Sequence, residues 1–184
     1  MLISMANPNP QRLELTDPKA YLQRMIDQTG GRDPLVILAE TPRTLAEIAG
    51  RHPADVLRRR PYEGKWTPTE VLGHLLDTEL VFGYRIRTIF ADDSPQIIGM
   101  DQDKWVAAQR YNERDAAEII AHIAAVRPIN LAMYRLIRPE HHDRVGLHSE
   151  RGPEKLGDIL KYAAGHDLWH IDQFRRYAEA AAGM

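Results

Sequence analysis

The sequence predicts an all-α fold, a four-helix bundle with short additional helices in its connections. Four long segments place apolar residues at the three- and four-residue spacing of one helix face. Proline, glycine and capping residues separate these segments, and no segment alternates strongly enough to indicate a strand. At 184 residues the chain suits one domain. We expect a flexible tail at residues 1–16 and a single helical-bundle domain at residues 17–184.

The first two predicted helices cover residues 17–28 and 33–50. Each begins with an Asp-Pro pair, in which the aspartate caps the helix and the proline takes the first helical position. Pro42 should kink the second helix, because proline removes a backbone donor. A connection follows, with one helical turn expected after Pro53.

The clearest helix start in the chain is Thr67-Pro68-Thr69-Glu70. Thr67 can cap, Pro68 can take the first position, and Glu70 can complete a capping box. The helix should run to about Phe90. Its predicted inward stripe is Val71, His74, Leu75, Thr78, Phe82, Arg85 and Ile89.

A predicted loop over residues 91–111, with a turn near residues 102–106, leads to the next helix. Asn112 is the expected cap of that helix, with acidic residues in the first turn. The helix should continue to about Ile137, with a second kink at Pro128.

Residues 138–152 are expected to be irregular or briefly extended. Gly152 and Pro153 should then open the last helix, which we expect to reach about Ala180. The inward stripe of this helix is predicted to be Leu156, Ile159, Leu160, Ala163, His166, His170, Gln173 or Phe174, and Tyr177.

The composition excludes several kinds of catalytic and metal-binding site. The chain has no cysteine, so it has no disulfide and no cysteine nucleophile, and a bound metal would need nitrogen or oxygen ligands. A net charge of −2 gives no indication of nucleic-acid binding. No apolar run reaches the ~18–20 residues of a membrane span, and no signal peptide is evident. We expect a cytoplasmic protein that binds neither nucleic acid nor membrane.

Three histidines, His74, His166 and His170, lie on the inward stripes of two predicted helices. His166 and His170 are four residues apart, so they share one helix face. Together with His74 they form a candidate metal site of three imidazoles with an open coordination position, a pattern typical of catalytic rather than structural zinc. The alternative is three core histidines with hydrogen-bonded partners, although burying three uncoordinated imidazoles is costly.

Several neighbouring residues are candidates for supporting such a site. Asp77 is a candidate partner of a ligand's free N–H, and Gln173 is a candidate for the same role or for a substrate contact. The nearby acids Glu79, Asp167 and Asp172 are further candidates, although solvent-facing charge is the expected role of most of these acids. Arg85 is expected to pair with a carboxylate inside the bundle, and binding of an anion is the alternative. His148 lies in a loop from which it could reach the mouth of the site. Three tryptophans are expected to be packing anchors: Trp66, Trp105 and Trp169.

Two stretches, KWTPTEVLGHLLDTELVFGYRIR and GHDLWHIDQFRR, resemble the DinB-like/YfiT superfamily of bacterial metal-binding four-helix bundles. Residues 101–105 fit the same pattern, and the resemblance covers roughly residues 33–180. It implies a metal held by His74, His166 and His170. A divalent transition metal is expected, zinc or nickel first, with iron and manganese as further candidates.

The resemblance also implies a class of activity. Related proteins are metal-dependent hydrolases, or transferases and isomerases that use a low-molecular-weight thiol such as bacillithiol or mycothiol. We therefore expect a metal-dependent enzyme with a small-molecule substrate, in which metal-bound water or thiolate is the nucleophile, and a homodimer. The alternative is a non-catalytic helical module with a structural or vestigial metal site.

Overall fold

The computed structural model describes residues 18–184, so the predicted tail at residues 1–16 lies outside the described residues. The described part contains seven α-helices, three short strands and two short 3₁₀ turns. The helices are α1 (Pro18–Gln28), α2 (Pro34–Ala49), α3 (Ala54–Leu57), α4 (Pro68–Ala91), α5 (Gln102–Ala108), α6 (Ala116–Tyr134) and α7 (Leu156–Ala182). The strands are β1 (Gln96–Ile97), β2 (Val145–His148) and β3 (Gly152–Lys155).

The four long helices α2, α4, α6 and α7 form a bundle, which confirms the predicted fold class. α2 packs against α6 and α7, and α4 packs against the same two helices. The connection from α2 to α4 and the connection from α6 to α7 therefore each join two helices at diagonally opposite corners of the bundle. The long connections that these steps require contain α3, α5 and the small sheet.

The short helix α1 packs along α7, and a glycine permits the close approach. A Cβ atom at Gly165 would lie 1.6 Å from the carbonyl oxygen of Met25. No side chain fits at this position without moving the backbone of α1.

The predicted start of α4 is confirmed. The Thr67 hydroxyl accepts a hydrogen bond from the Glu70 amide at 3.2 Å, and the Glu70 carboxylate accepts one from the Thr67 amide at 2.7 Å. This capping box satisfies donors that the first helical turn leaves free, and it fixes where α4 begins. The helices α2 and α6 run through Pro42 and Pro128, and the kinks stay predictions.

The predicted cap of α6 was wrong. Asp115 caps this helix, because its carboxylate accepts a hydrogen bond from the Ala117 amide at 2.7 Å. Asn112 lies in a 3₁₀ turn instead, where its side chain accepts from the Thr67 hydroxyl and donates to the Arg58 carbonyl. These long-range partners occupy the amide group that would otherwise cap a helix.

The predicted start of α7 was also wrong, because Gly152 and Pro153 belong to a strand. β2 and β3 form an antiparallel hairpin, and β1 adds to β2 in parallel. Gly152 has a φ of +77°, which the return of the hairpin requires and which glycine adopts without strain. α7 therefore starts four residues later than predicted, at Leu156. The extended structure expected within residues 138–152 is the strand β2, whereas β1 and the continuation of β3 to Lys155 were not predicted.

A buried polar layer divides the core into two apolar clusters. On each long helix the change from one cluster to the other occurs beside polar residues, which are Thr41, Thr78, Glu79, Arg127, Asn130, His166, Asp167 and His170. Buried polar groups need partners, so this layer must be held by specific hydrogen bonds and ion pairs. His74 lies at the edge of the same layer.

Helix α6 is, by length and composition alone, apolar enough to cross a membrane, contrary to the expectation from the sequence. Its position in the bundle accounts for this composition equally well. Arg127 and Asn130 of this helix are buried against α4 and α7, where they bind Glu79 and Asp167. The absence of membrane binding stays a prediction.

Candidate metal centre

The structure brings the three predicted histidines together in the buried layer. His74 lies on α4, two turns after the capping residue Thr67, and His166 and His170 lie one turn apart on α7. Their side chains are buried, with exposed fractions of 1%, 3% and 6%. One ring nitrogen from each histidine lies within 4.8 Å of the others. The packing of α4 against α7 therefore gathers three imidazoles that are distant in sequence.

The spacing of two of these nitrogens fits a shared ion. The Nε2 atoms of His74 and His166 are 3.1 Å apart. Two nitrogens that bind one tetrahedral zinc ion at about 2.0–2.1 Å stand roughly 3.3–3.4 Å apart. The nitrogens therefore need to move by only a few tenths of an ångström to hold an ion between them.

Gln173 fixes the orientation of the third histidine. Its Oε1 atom lies 2.6 Å from Nδ1 of His170, one turn earlier on α7. The amide oxygen can only accept a hydrogen bond, so Nδ1 of His170 carries the proton and Nε2 presents a lone pair. This contact is the support that the sequence suggested for Gln173.

The three imidazoles are held in the neutral form that binds metals. Burial lowers the pKa of His170 to about 4, although the hydrogen bond to Gln173 acts in the opposite direction. Burial also lowers the pKa of His74 and His166 well below the ordinary value, and the neighbouring histidines lower it further. At neutral pH each ring therefore has a lone pair to donate.

Two of the imidazoles have a nitrogen without a partner. Nδ1 of His74 and Nδ1 of His166 are buried and make no hydrogen bond in the described part of the chain. With the Nε2 atoms facing each other, the two rings satisfy only one hydrogen bond between them. A core chosen only for stability would not keep such a pair, because each unmet polar atom costs free energy.

Aromatic rings enclose the histidines on two sides. The ring of Trp66 lies 4.9 Å from His74 and 6.5 Å from His170, measured between ring centres. Phe82 and Tyr162 lie 5.6 Å and 5.9 Å from His166. Trp66 is a packing residue, as predicted, and it packs against His74 and His170.

Asp77 has other partners than the histidines. Its Oδ1 atom accepts hydrogen bonds from the Tyr111 hydroxyl and the Gln109 amide, both at 2.6 Å. Tyr111 in turn packs on Gly73, where an added Cβ would lie 2.1 Å from the ring. The support that the sequence suggested for a histidine ligand is therefore not observed for Asp77, which instead ties α4 to the segment after α5.

Three other acids also bind elsewhere. Glu79 and Asp167 are buried, and each forms an ion pair of 2.8 Å with Arg127. Asp172 is on the surface and pairs with Arg176 at 2.8 Å. The structure thus replaces the suggested contacts to histidine with a buried ion triad, which the sequence analysis missed. The sequence does contain an indication of this buried arginine, because Arg127 is the single Lys or Arg of the apolar helix α6.

Arg85 and His148 lie deeper than the sequence indicated. Arg85 is buried, but its guanidinium donates to the Ile98 carbonyl at 2.8 Å, and in the described part of the chain no carboxylate forms an ion pair with it. The predicted carboxylate partner was wrong. His148 is also buried, with an exposed fraction of 3%, because it lies in β2 and not in a loop.

Comparison with known proteins places the chain in a family. Residues 37–174 match the family described as the DinB superfamily. Two relatives from Oceanobacillus iheyensis, OB0782 and OB0413, are each named "Putative metal-dependent hydrolase". OB0782 is 26% identical over 109 residues, which are 59% of this chain and 62% of that protein, less than two thirds of its length. OB0413 is 20% identical over 162 residues, 88% of this chain and 86% of that protein.

A solved structure has the same fold. It is YfiT from Bacillus subtilis, described as "a probable metal-dependent hydrolase with an unusual four-helix bundle topology". Its TM-score is 0.69 at 18% identity, and the match covers 89% of this chain and 97% of YfiT. At this identity the likeness shows the fold alone. The family match covers 138 of the 184 residues, so the chain belongs to the DinB superfamily.

Proposed function

We propose that the chain is a metal-dependent enzyme, in which His74, His166 and His170 hold one divalent transition metal. The observation that carries the proposal is the pair of Nε2 atoms 3.1 Å apart, with a third imidazole nitrogen within 4.8 Å of them. Three neutral nitrogen donors on two rigid helices can bind an ion with little ordering, and zinc or nickel suits them best.

The donor set supports catalysis more than structure. Structural zinc sites in proteins use four ligands, whereas three protein ligands leave a position for a reactant. In the described residues the cluster contains three candidate ligands and no fourth. The neutral imidazoles also leave the charge of a divalent ion uncompensated, so a fourth ligand of negative charge would be favoured.

When bound, the ion supplies Lewis-acid activation of a water molecule or a thiol. The residues of the chain provide the rest. Gln173 holds His170 in the ligating tautomer, and Trp66, Phe82 and Tyr162 line the histidines with apolar surface that limits access of bulk water.

Hydrolysis is the first candidate reaction, because both Oceanobacillus relatives and YfiT carry names of metal-dependent hydrolases. Transfer of a low-molecular-weight thiol is the second. The chain has no cysteine, so a thiol nucleophile would have to arrive with a co-substrate, and the neutral donor set suits a thiolate as well as it suits hydroxide.

The experiment is a parallel assay of the zinc- and nickel-loaded protein. One arm supplies chromogenic esters and amides in water, and the other supplies bacillithiol or mycothiol with an electrophilic acceptor. We expect turnover in one arm, lost in His170→Ala. Turnover that requires no thiol eliminates the transferase version. A protein that binds metal but turns over nothing in either arm supports the non-catalytic module instead.

A further inference from the structure

A second buried polar cluster lies beside the metal centre, at the junction of α4 with the small sheet. On α4, Arg85 is one turn before Ile89, on the same buried stripe. An added Cβ at Gly146 of β2 would lie 2.6 Å from the Ile89 side chain, so this face of β2 rests on α4. His148 is two residues after Gly146, on the same face, and the sheet therefore places it beside Arg85.

A second contact supports this placement. The Arg85 guanidinium donates to the carbonyl of Ile98, the residue after Ile97. Ile97 pairs with His148 in the parallel ladder between β1 and β2. Both routes along the chain thus bring the guanidinium near the imidazole, and the charge of Arg85 is accordingly one cause of the lowered pKa of His148.

His148 presents a hydrogen-bond donor without an acceptor. Its Nδ1 atom accepts a hydrogen bond from the Glu150 amide at 3.2 Å, so the proton of the neutral ring is on Nε2. Nε2 is buried and makes no hydrogen bond in the described part of the chain. Burial, and to a smaller extent the charge of Arg151, lower the pKa of His148 to about 4, so the ring is neutral at pH 7.

The charges around His148 also lack balance, because among the described residues Arg85 has no anionic partner of its own. The neighbouring Arg151 is paired with Glu154 through two hydrogen bonds, one of them 3.1 Å long. Arg85 has no such partner, and burial lowers the pKa of its guanidinium, which still stays protonated. Glu150, whose charge also reaches Arg85, is exposed to water. A buried cation and a buried N–H therefore both lack an anionic acceptor.

The cluster adjoins the three histidines. Phe82, one turn before Arg85 on α4, contacts His166 with ring centres 5.6 Å apart. Tyr162 spans the same gap, because its ring lies 5.9 Å from His166 and 5.7 Å from the Arg151 guanidinium. One layer of aromatic side chains thus separates the two clusters.

We propose that Arg85 and His148 form an anion subsite that binds a carboxylate group of the substrate. A guanidinium and one imidazole N–H match the two oxygens of a carboxylate, whereas a phosphate dianion would call for more positive charge. That the substrate's reacting bond lies at the three histidines rests on the proposed function. The binding of a carboxylate by Arg85 and His148 does not.

The test is a titration of the metal-free and the zinc-loaded protein with benzoate, and with benzamide as its neutral analogue, followed by NMR of the histidine and arginine side chains. Benzoate should bind saturably and shift the signals of Arg85 and His148. Arg85→Met and His148→Phe should each weaken benzoate binding by about tenfold or more, which is the loss of one charge-assisted hydrogen bond. Benzamide should bind as weakly to the parent as benzoate binds to the variants.

Arg144→Met is the matched control, since Arg144 also donates to backbone carbonyls at this end of the bundle but is partly exposed. It should leave benzoate binding unchanged. Arg85→Met removes a cation without stranding a carboxylate, so it should fold, and it should keep the metal content of the parent. Equal benzoate affinity in parent and Arg85→Met, or no binding to the parent, overturns the proposal. Failure of the metal site alone would leave benzoate binding to the metal-free protein intact.

Discussion

At the scale of single residues, the contact between Gln173 and His170 decides what the metal centre can do. A histidine ring has two nitrogens, and only the unprotonated one can bind a metal. The 2.6 Å contact to the Gln173 oxygen places the proton on Nδ1 and leaves Nε2 with the lone pair that can bind a metal. A residue outside the ligand set thus prepares one of the ligands.

Replacing Gln173 should therefore weaken metal binding without removing a ligand. We expect Gln173→Ala to lower the zinc affinity about 10- to 100-fold, the range found for the hydrogen-bond partners of metal-bound histidines. Gln173→Glu keeps an acceptor oxygen and should retain the affinity of the parent. Competition with a fluorescent chelator measures both. An unchanged affinity in Gln173→Ala would show that the contact has no role in ligation.

At the scale of helices, one arginine joins the whole bundle. Arg127 of α6 binds Glu79 of α4, Asp167 of α7 and the carbonyl of Leu38 in α2, at 2.8, 2.8 and 2.9 Å. Asn130, one turn later, donates to Glu79 at 2.7 Å. Because Asp167 follows His166 directly, the same triad fixes the rotation of α7 about its axis. This network sets the register in which α4 and α7 present the histidines.

Removing only the arginine of this triad should lower the free energy of unfolding more than replacing all three residues. Arg127→Met leaves two carboxylates buried without a cation, and we expect it to lower the free energy of unfolding by about 3–5 kcal/mol. The triple variant Arg127→Met/Glu79→Leu/Asp167→Leu leaves none of the charges of the triad buried, and its free energy of unfolding should fall less than that of the single variant. Urea unfolding of the metal-free proteins tests this. A triple variant that is less stable than Arg127→Met would contradict it.

The helix starts and the buried residues differ in how far they could be predicted from the local sequence. Thr67, Pro68 and Glu70 define the start of α4 through contacts within one turn, so that start was predictable. Asp115 rather than Asn112 caps α6 because Asn112 binds Thr67 and Arg58, which are about 50 residues away. The histidine positions followed from helical spacing. The buried state of Arg127 and His148 depends on pairing with distant elements, which periodicity does not contain.

At the scale of the whole molecule, four buried histidines make stability depend on pH. The pKa values of His148 and His170 are about 4 in the folded protein, and those of His74 and His166 are also lowered. The unfolded chain, with histidine pKa values near 6.5, therefore binds more protons than the folded chain below that pH. Burial raises the pKa of Asp77 and Glu79, so these two carboxyl groups bind protons more readily in the folded chain and oppose the effect. The four histidines outnumber them.

The metal-free protein should therefore lose stability as the pH falls from about 6.5 toward 4. The contribution of the histidines is fully present above about pH 6.5, because there they are neutral in both states. Urea midpoints in the presence of a chelator at pH 7.5, 6.5, 5.5 and 4.5 measure the change. His148→Phe removes one of the four groups and should flatten the profile. A midpoint that is constant across this range would exclude the assigned pKa shifts.

The homodimer and the cytoplasmic location stay predictions. The catalytic proposal depends instead on one property of the folded chain, which is that the three converging imidazoles bind a metal.

The most direct measurement of that property is the metal content of the tag-free protein by elemental analysis, beside His74→Ala/His170→Ala and the control His122→Ala. His122 lies on the outside of α6, with an exposed side chain. We predict about one equivalent of a transition metal in the parent and in His122→Ala, and none in the double variant. A folded parent that takes up neither zinc nor nickel would contradict the metal centre and the function proposed from it.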